Sequence, residues 1–208
     1  MDEVGELKFQ IIAGEPAVDF VNTLDNRPVP ERLKELLNSY EELIDWATQS
    51  GLMNPAQRSR LLQAVARNNR GASAALSHAI VLRECLFRIF TDVAAGRAPS
   101  KGDLQTLNGY LGEAMSHLQL KASGKALRLD WEEAEDPPLE SVLWPIARSA
   151  SELLTSGDLK YLRECSDDTC RWMFVDRSKN HSRRWCDMKV CGNRVKVRRF
   201  YRRQRRAR

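Results

Sequence analysis

Apolar residues recur every three or four positions through most of the first 155 residues, and that recurrence predicts helices almost throughout. In EPAVDFVNTLDNR, Val18, Val21 and Leu24, with Phe20, fall at helical spacing. SYEELIDWATQSG carries Ser39 followed three residues later by Glu42, the arrangement of a capping box, and Gly51 stands where that helix should stop. NPAQRSRLLQAVARNN opens with Asn54 as a cap and Pro55 at the first helical position, where its missing N–H costs nothing. The longest predicted helix lies in SAALSHAIVLRECLFRIFTDVAAG, where Leu76, Ile80, Leu82, Leu86 and Ile89 form a wide apolar stripe. SKGDLQTLNGYLGEAMSHLQL predicts another, weakened by Gly109 and Gly112.

The period then changes. LQLKASGKALRLDWEE alternates apolar and polar residues on both sides of Ser123-Gly124, so that Leu118, Leu120 and Ala122 oppose Ala126 or Leu127, Leu129 and Trp131. That pattern predicts a β-hairpin. Helix resumes after Pro137-Pro138, and Pro145 is expected to kink or divide it. Further on, WMFV reads as a strand. After Cys191 the helical period returns, with Val197, Phe200 and Tyr201 on one face with Val190, and Arg198, Arg199, Arg202, Arg205 and Arg206 spread over the other. The apolar side is expected to pack and the arginine side to face a partner. The predicted fold is therefore mainly α: a helical domain with a small hairpin over residues 1–157, then a small α+β module with a basic terminal helix over 158–208.

Charge sharpens this division. Residues 160–208 hold 17 Lys and Arg against 5 Asp and Glu, a net of +12, which leaves −7 on the rest of the chain. So dense a positive field attracts phosphate. The overall content, 42% hydrophobic and 29% charged, is that of a soluble globular protein. No apolar run approaches the roughly 20 residues that cross a bilayer, and the acidic start MDEVGELKFQ lacks the layout of a signal peptide. A cytoplasmic protein with no membrane partner is the expectation.

Four of the five cysteines form two close pairs, Cys165-x4-Cys170 and Cys186-x4-Cys191, separated by fifteen residues. Two such pairs suit one structural zinc ion, although two residues between the cysteines of a pair is the commoner spacing. Four thiolates fill a tetrahedral shell and leave no place for a catalytic water. The rival reading, two disulfides, is disfavoured in a reducing cytosol. His181 is an alternative ligand that four cysteines make unnecessary. Trp172, Phe174 and Trp185 are expected to form a small core over the metal.

The body shows no catalytic constellation: His78 and His117 stand in no metal-ligand pattern, and Cys85 reads as a buried apolar residue. Trp46, Trp131, Trp144 and Tyr110 read as core residues before pocket residues. Asp19, Asn22 and Trp46 are the candidate contacts for a small ligand.

WCDMKVCGNRVKVRRFYRR, with the upstream MFVDRSKNHSRRWC, resembles the signature of the CGNR zinc-finger family, named for the residues that stand here as Cys191-Gly192-Asn193-Arg194. EPAVDFVNTLDNR is similar to the opening of the helical domain, often called ABATE, that precedes this finger in the same family. The resemblance implies a bacterial transcription regulator whose finger binds DNA and whose helical domain senses a small ligand or stress. It also implies zinc ligation by Cys165, Cys170, Cys186 and Cys191. Gly192 is then expected to make a turn beside the metal and Asn193 to cap the last helix, or else to reach an adenine. Arg194 is expected to hold a phosphate or to brace the site through Asp176 or Asp187.

The expected partner is double-stranded DNA, with contacts drawn from Arg183, Arg184, Asn193, Arg194, Lys196, Arg198, Arg199, Arg202, Arg203, Arg205 and Arg206. One small finger reads few base pairs, so a homodimer on paired half-sites is expected. An RNA-binding or ribosome-associated protein is the alternative, which aromatics facing solvent would favour. An enzyme with its site in the helical body is the third reading.

Overall fold

The computed structural model describes residues 8–206, apart from the side chains of Ser123 and Arg206; the acidic start read from residues 1–7 lies largely outside the described residues. Seven α-helices are joined by three small antiparallel sheets of two strands each among the described residues. In chain order they are α1 (Pro16–Val21), β1 (Leu24–Asp25), β2 (Lys34–Glu35), α2 (Tyr40–Gln49), α3 (Pro55–Arg67), α4 (Asn69–Ala94) and α5 (Lys101–Ser116). Then come β3 (Leu118–Ser123), β4 (Ala126–Trp131), α6 (Trp144–Thr155), β5 (Leu162–Glu164), β6 (Met173–Val175) and α7 (Asn193–Arg206). The fold is mainly α, as the periodicity predicts.

Local chemistry sets most boundaries. Ser39 accepts from the Glu42 N–H at 3.2 Å to start α2, but the Glu42 carboxylate reaches back to the N–H of Asn38, one residue short of a reciprocal box. Asn54 and Gln57 do form the reciprocal pair at the start of α3, each bond 2.9 Å. Gly51, at φ +77°, ends the α2 segment in a conformation that a side chain would strain. α5 runs unbroken through Gly109 and Gly112, where an added Cβ would meet nothing within 4 Å. Pro145 sits in the first turn of α6, where a 3-10 turn (Leu139–Leu143) passes into the helix, so it divides the segment and does not kink it.

α1 stops earlier than the periodicity suggests. Thr23 turns its hydroxyl onto the Phe20 carbonyl (2.7 Å), and Leu24 enters the β1–β2 ladder. Beneath that ladder, the buried Arg83 of α4 makes two bonds to the Glu35 carboxylate (2.6 and 2.7 Å). The β3–β4 hairpin pairs Leu120 with Leu129 and Ala122 with Leu127. It packs at its base, where Trp131 meets Trp144 and Tyr110 in a small satellite cluster, while Leu120, Leu127 and Leu129 face solvent.

α1 is the hub of the core. Ala17, Val18, Phe20 and Val21 are buried against α4, α6 and β6, with the Phe20 ring 5.1 Å from that of Trp46. Asp19 faces the other way, and one of its oxygens accepts from the N–H groups of Ile12 (2.8 Å) and Ala13 (2.9 Å). Burial raises its carboxyl from the ordinary 3.8 to about 6, despite those two donors. Because the folded state holds this proton more tightly than the unfolded chain, stability falls as pH rises from about 4 through about 6. Asn at this position keeps an oxygen for both N–H groups and has nothing to ionise. Asp19→Asn should therefore flatten that pH dependence and raise stability at pH 7 by on the order of 2 kcal/mol, read from urea unfolding at pH 4.5 and 7.

The terminal module does not have a core of its own. Trp172, Met173, Phe174 and Val175 are buried in the same cluster as α1, α2, α4 and α6, and Trp185 packs on its edge. This corrects the expected small core over the metal: the helical body supplies the apolar partners. One backbone bond and one side-chain amide seal the junction. The Val175 N–H donates to the Ala13 carbonyl (2.8 Å), and the Asn22 amide both donates to the Met173 carbonyl and accepts from the Met173 N–H, each at 2.9 Å.

Candidate metal centre and nucleic-acid interface

β5 and β6 pair in register, Leu162 with Val175 and Glu164 with Met173. Their ladder brings Cys165 and Cys170 to one end of the module. Cys186 and Cys191 arrive from a second loop, and the four sulfurs lie within 4.8 Å of one another, all on buried residues. Cys170–Cys186 and Cys186–Cys191 are each 3.6 Å apart, too far for a disulfide at about 2.05 Å. A zinc ion held by four sulfurs at about 2.3 Å needs sulfurs about 3.8 Å apart. The donor set and its spacing fit.

Packed this closely, the sulfurs perturb one another. Cys165 is held low by hydrogen bonds from the Cys170, Cys186 and Cys191 thiols. Cys170 and Cys186 are pushed up by sulfur neighbours, Cys165 first, and by burial. A divalent cation favours all four thiolates at once. The four cysteines form a single structural zinc site with no protein-free coordination position. Among the described residues His181 does not join it: its ring stacks on Tyr161 at 3.7 Å and bonds to the Asp176 carbonyl (2.7 Å).

The loops around the metal are tied by buried carboxylates. Asp167, fully buried between the first two cysteines, takes Arg198 at 3.0 Å on one oxygen and Arg194 at 3.2 Å on the other. Both guanidiniums also reach the Thr169 hydroxyl (3.1 and 2.9 Å). Arg194 therefore braces the site, though through Asp167 and not through Asp176 or Asp187. Asp176, also fully buried, accepts from the Ser178 N–H and hydroxyl and from the Arg183 N–H. Burial opposes its charge, but those bonds outweigh burial and hold the carboxyl below its usual range. Asp187 caps the wide turn Met188–Gly192, accepting from the Lys189 N–H (2.6 Å) and the Val190 N–H (3.3 Å).

Several expected contacts are thereby reassigned. Asn193 does not cap α7; it is already helical, and its amide donates to the Lys189 carbonyl at 2.9 Å. Gly192 has no left-handed backbone. An added Cβ would lie 2.5 Å from the sulfur of the exposed, flexible Met188 side chain, which can move aside. Arg183 turns inward, with its guanidinium 4.5 Å from the Phe174 ring and bonded to the carbonyls of Trp185 (2.8 Å) and Cys186. Arg184 stays exposed beside Trp185. Lys196, Arg199, Arg202, Arg203 and Arg205 are exposed along α7, and none meets a carboxylate among the described residues; the side chain of Arg206 lies outside them.

α7 is turned the other way from the sequence expectation. Its packed side carries Arg194 and Arg198, whereas Val197 (53% exposed), Phe200 (57%) and Tyr201 (59%) face solvent, with Met188 and Val190 at their foot. In the body, Asp19, Asn22 and Trp46 are all buried, the first two hydrogen-bonded as described, and none lines the clefts near Trp131, His78 or Arg67. Trp131 and Trp144 do border one, together with Leu52, Met53, Arg60 and Pro137, a cleft open to solvent with a cavity of about 60 Å³. Cys85 is buried and donates to the Asp103 carbonyl.

No helix among the described residues is long and apolar enough to cross a membrane. No curated protein matches the chain. The family model for the CGNR zinc finger matches residues 161–204. The ABATE model, described as "Putative stress-induced transcription regulator", matches residues 14–157, well over half of the chain. The chain therefore belongs to the ABATE family and carries a CGNR zinc finger at its C-terminal end.

Proposed function

We propose that this regulator binds duplex DNA through the finger and α7, as a homodimer, and that its helical body senses a ligand or stress signal. The observation that supports the reading is the fate of the finger's own carboxylates. Asp167, Asp176 and Asp187 are spent on Arg194, Arg198 and backbone N–H groups, and Glu164 is paired with Arg171. Of the finger's carboxylates only Asp168 is exposed without a partner among the described residues, and α7 itself carries no acidic residue, so its outward charge is positive. Such a surface meets phosphates. For the sensing role, the cleft bordered by Trp131 and Trp144 is one candidate, beside larger clefts near Arg67 and Asp136 and near His78 and Tyr110.

The test is selection from a random duplex library by zinc-loaded full-length protein at about 0.15 M salt. Two related half-sites are the expected result; binding with no enriched motif would leave a backbone grip and no regulator of chosen promoters. Salt gives a second measure. If five exposed cations meet phosphates, log K should fall against log salt with a slope of about −4.5. Replacing Arg199 and Arg202 with alanine should make that slope shallower by about 2, measured by fluorescence anisotropy.

One observation favours a second reading. Phe200 and Tyr201 are solvent-facing aromatics, the feature by which an RNA-binding protein would stack bases. Competition by single-stranded RNA against the selected duplex separates the two.

A further inference from the structure

We propose that Val197, Phe200 and Gln204 form a base-reading face for the major groove, taking the 5-methyl groups of thymines and an adjacent adenine, so that each half-site has an A·T core. This rests on the reading of the finger as a duplex-DNA binder and names what that site recognises. At 100° per residue the three side chains fall within about 60° of one another on α7. All three are exposed, and the Asp167 clamp on Arg194 and Arg198, about 100° round the helix from this face, fixes the helix against the finger. The face is therefore held outward by buried ion pairs, at one rotation.

Its chemistry is unlike that of a phosphate grip. Val197 and Phe200 offer apolar surface, which the major groove rewards at the thymine methyl; the Gln204 amide can pair with adenine N6 and N7. Lys196 and Arg203 flank the stripe on one side, and Arg199, Arg202 and Arg205 lie farther round the helix, all exposed. Cations beside an apolar stripe suit a groove whose floor is bases and whose walls are phosphates. From Val197 to Gln204 the helix rises about 10 Å, the length of roughly three base-pair steps.

A second copy of α7 laid along this stripe would bring the two sets of cations together. A stacking platform for single-stranded RNA is disfavoured by shape. The Phe200 and Tyr201 rings meet edge to face, 5.7 Å apart at 73°, on the convex side of a helix, whereas base stacking uses flat aromatic surfaces.

The experiment uses the full-length zinc-loaded protein and the duplex it selects, with each thymine of the half-site replaced in turn by deoxyuridine, which removes only the methyl group. Affinity should drop about fourfold for each contacted methyl. In Phe200→Ala and Val197→Ala, dT and dU duplexes should bind alike at the affected positions, with zinc content and salt slope unchanged. Gln204→Ala should lose the preference at the adjacent adenine.

Selection of a core without thymine, or wild-type protein indifferent to every dU replacement, overturns the base-reading face and leaves duplex binding standing. Failure to bind any duplex overturns both. Single-stranded RNA that competes equally with the selected duplex reassigns Phe200 to stacking and overturns the proposal. So does a Phe200→Ala protein that becomes monomeric in sedimentation while keeping the dT-over-dU preference.

Discussion

Cys186→Ser should release the metal and unfold more than the finger. Zinc binding contributes about 10–16 kcal/mol in isolated finger peptides, and a whole domain is stable by only about 5–15 kcal/mol. In this chain the metal loops carry Trp172, Met173 and Phe174 into the same core as Phe20 and Trp46, so that loss is not confined to one end. The expected result is no bound zinc by atomic absorption, melting lowered by more than about 10 °C, and no DNA binding. Cys85→Ser, which alters a buried thiol outside the cluster, should keep one zinc per chain. Zinc loss with unchanged melting would show that the body holds β6 without help from the metal.

Asp167→Asn should separate the helix from the finger without emptying the metal site. The substitution keeps the size of the side chain and removes the charge that holds Arg194 and Arg198. Breaking a fully buried pair costs about 3–5 kcal/mol. Both guanidiniums are about a third exposed, so water compensates them in part and about 1–3 kcal/mol is expected. Melting should fall by several degrees with zinc retained at one per chain. Trypsin should cut the α7 arginines faster, and affinity for duplex DNA should drop at least tenfold as the helix loses its fixed rotation. If zinc leaves together with the charge, Asp167 is part of the metal site and not a separate clamp.

The four cysteines were legible because their meaning is local: two short spacings and one long one suffice to define a tetrahedral set. The helices were legible for the same reason, as were the Asn54 and Ser39 caps. The rotation of α7 was not. An apolar stripe on a terminal helix reads as the buried side when the module must find its own core. Here the body had already met that need through β6, and the buried carboxylate of Asp167, 27 and 31 residues before its partners, decided which side of α7 faces in.

Asn22, a candidate ligand contact in the sequence, has a structural task that no local pattern shows: its amide completes the hydrogen bonding of a strand residue 151 positions later. Arg183 looked like a phosphate contact on a loop tip because nothing local shows that it folds back over Phe174.

The bonds from Asn22 and Ala13 to β6 also fix an order of events during synthesis. The helix α1 leaves the ribosome with the Asn22 amide unpartnered and some of its apolar neighbours missing, because those partners lie in residues 162–175. Domains that are complete in themselves fold as they emerge; this body must wait for residues 162–175. The last ligand, Cys191, comes later still, so metal capture follows the arrival of β6. A newly made chain that finds no zinc remains a partly open body with exposed apolar surface, which is what chaperones and proteases recognise. Zinc supply would then set how much of this regulator a cell accumulates, before any question of which promoter it occupies.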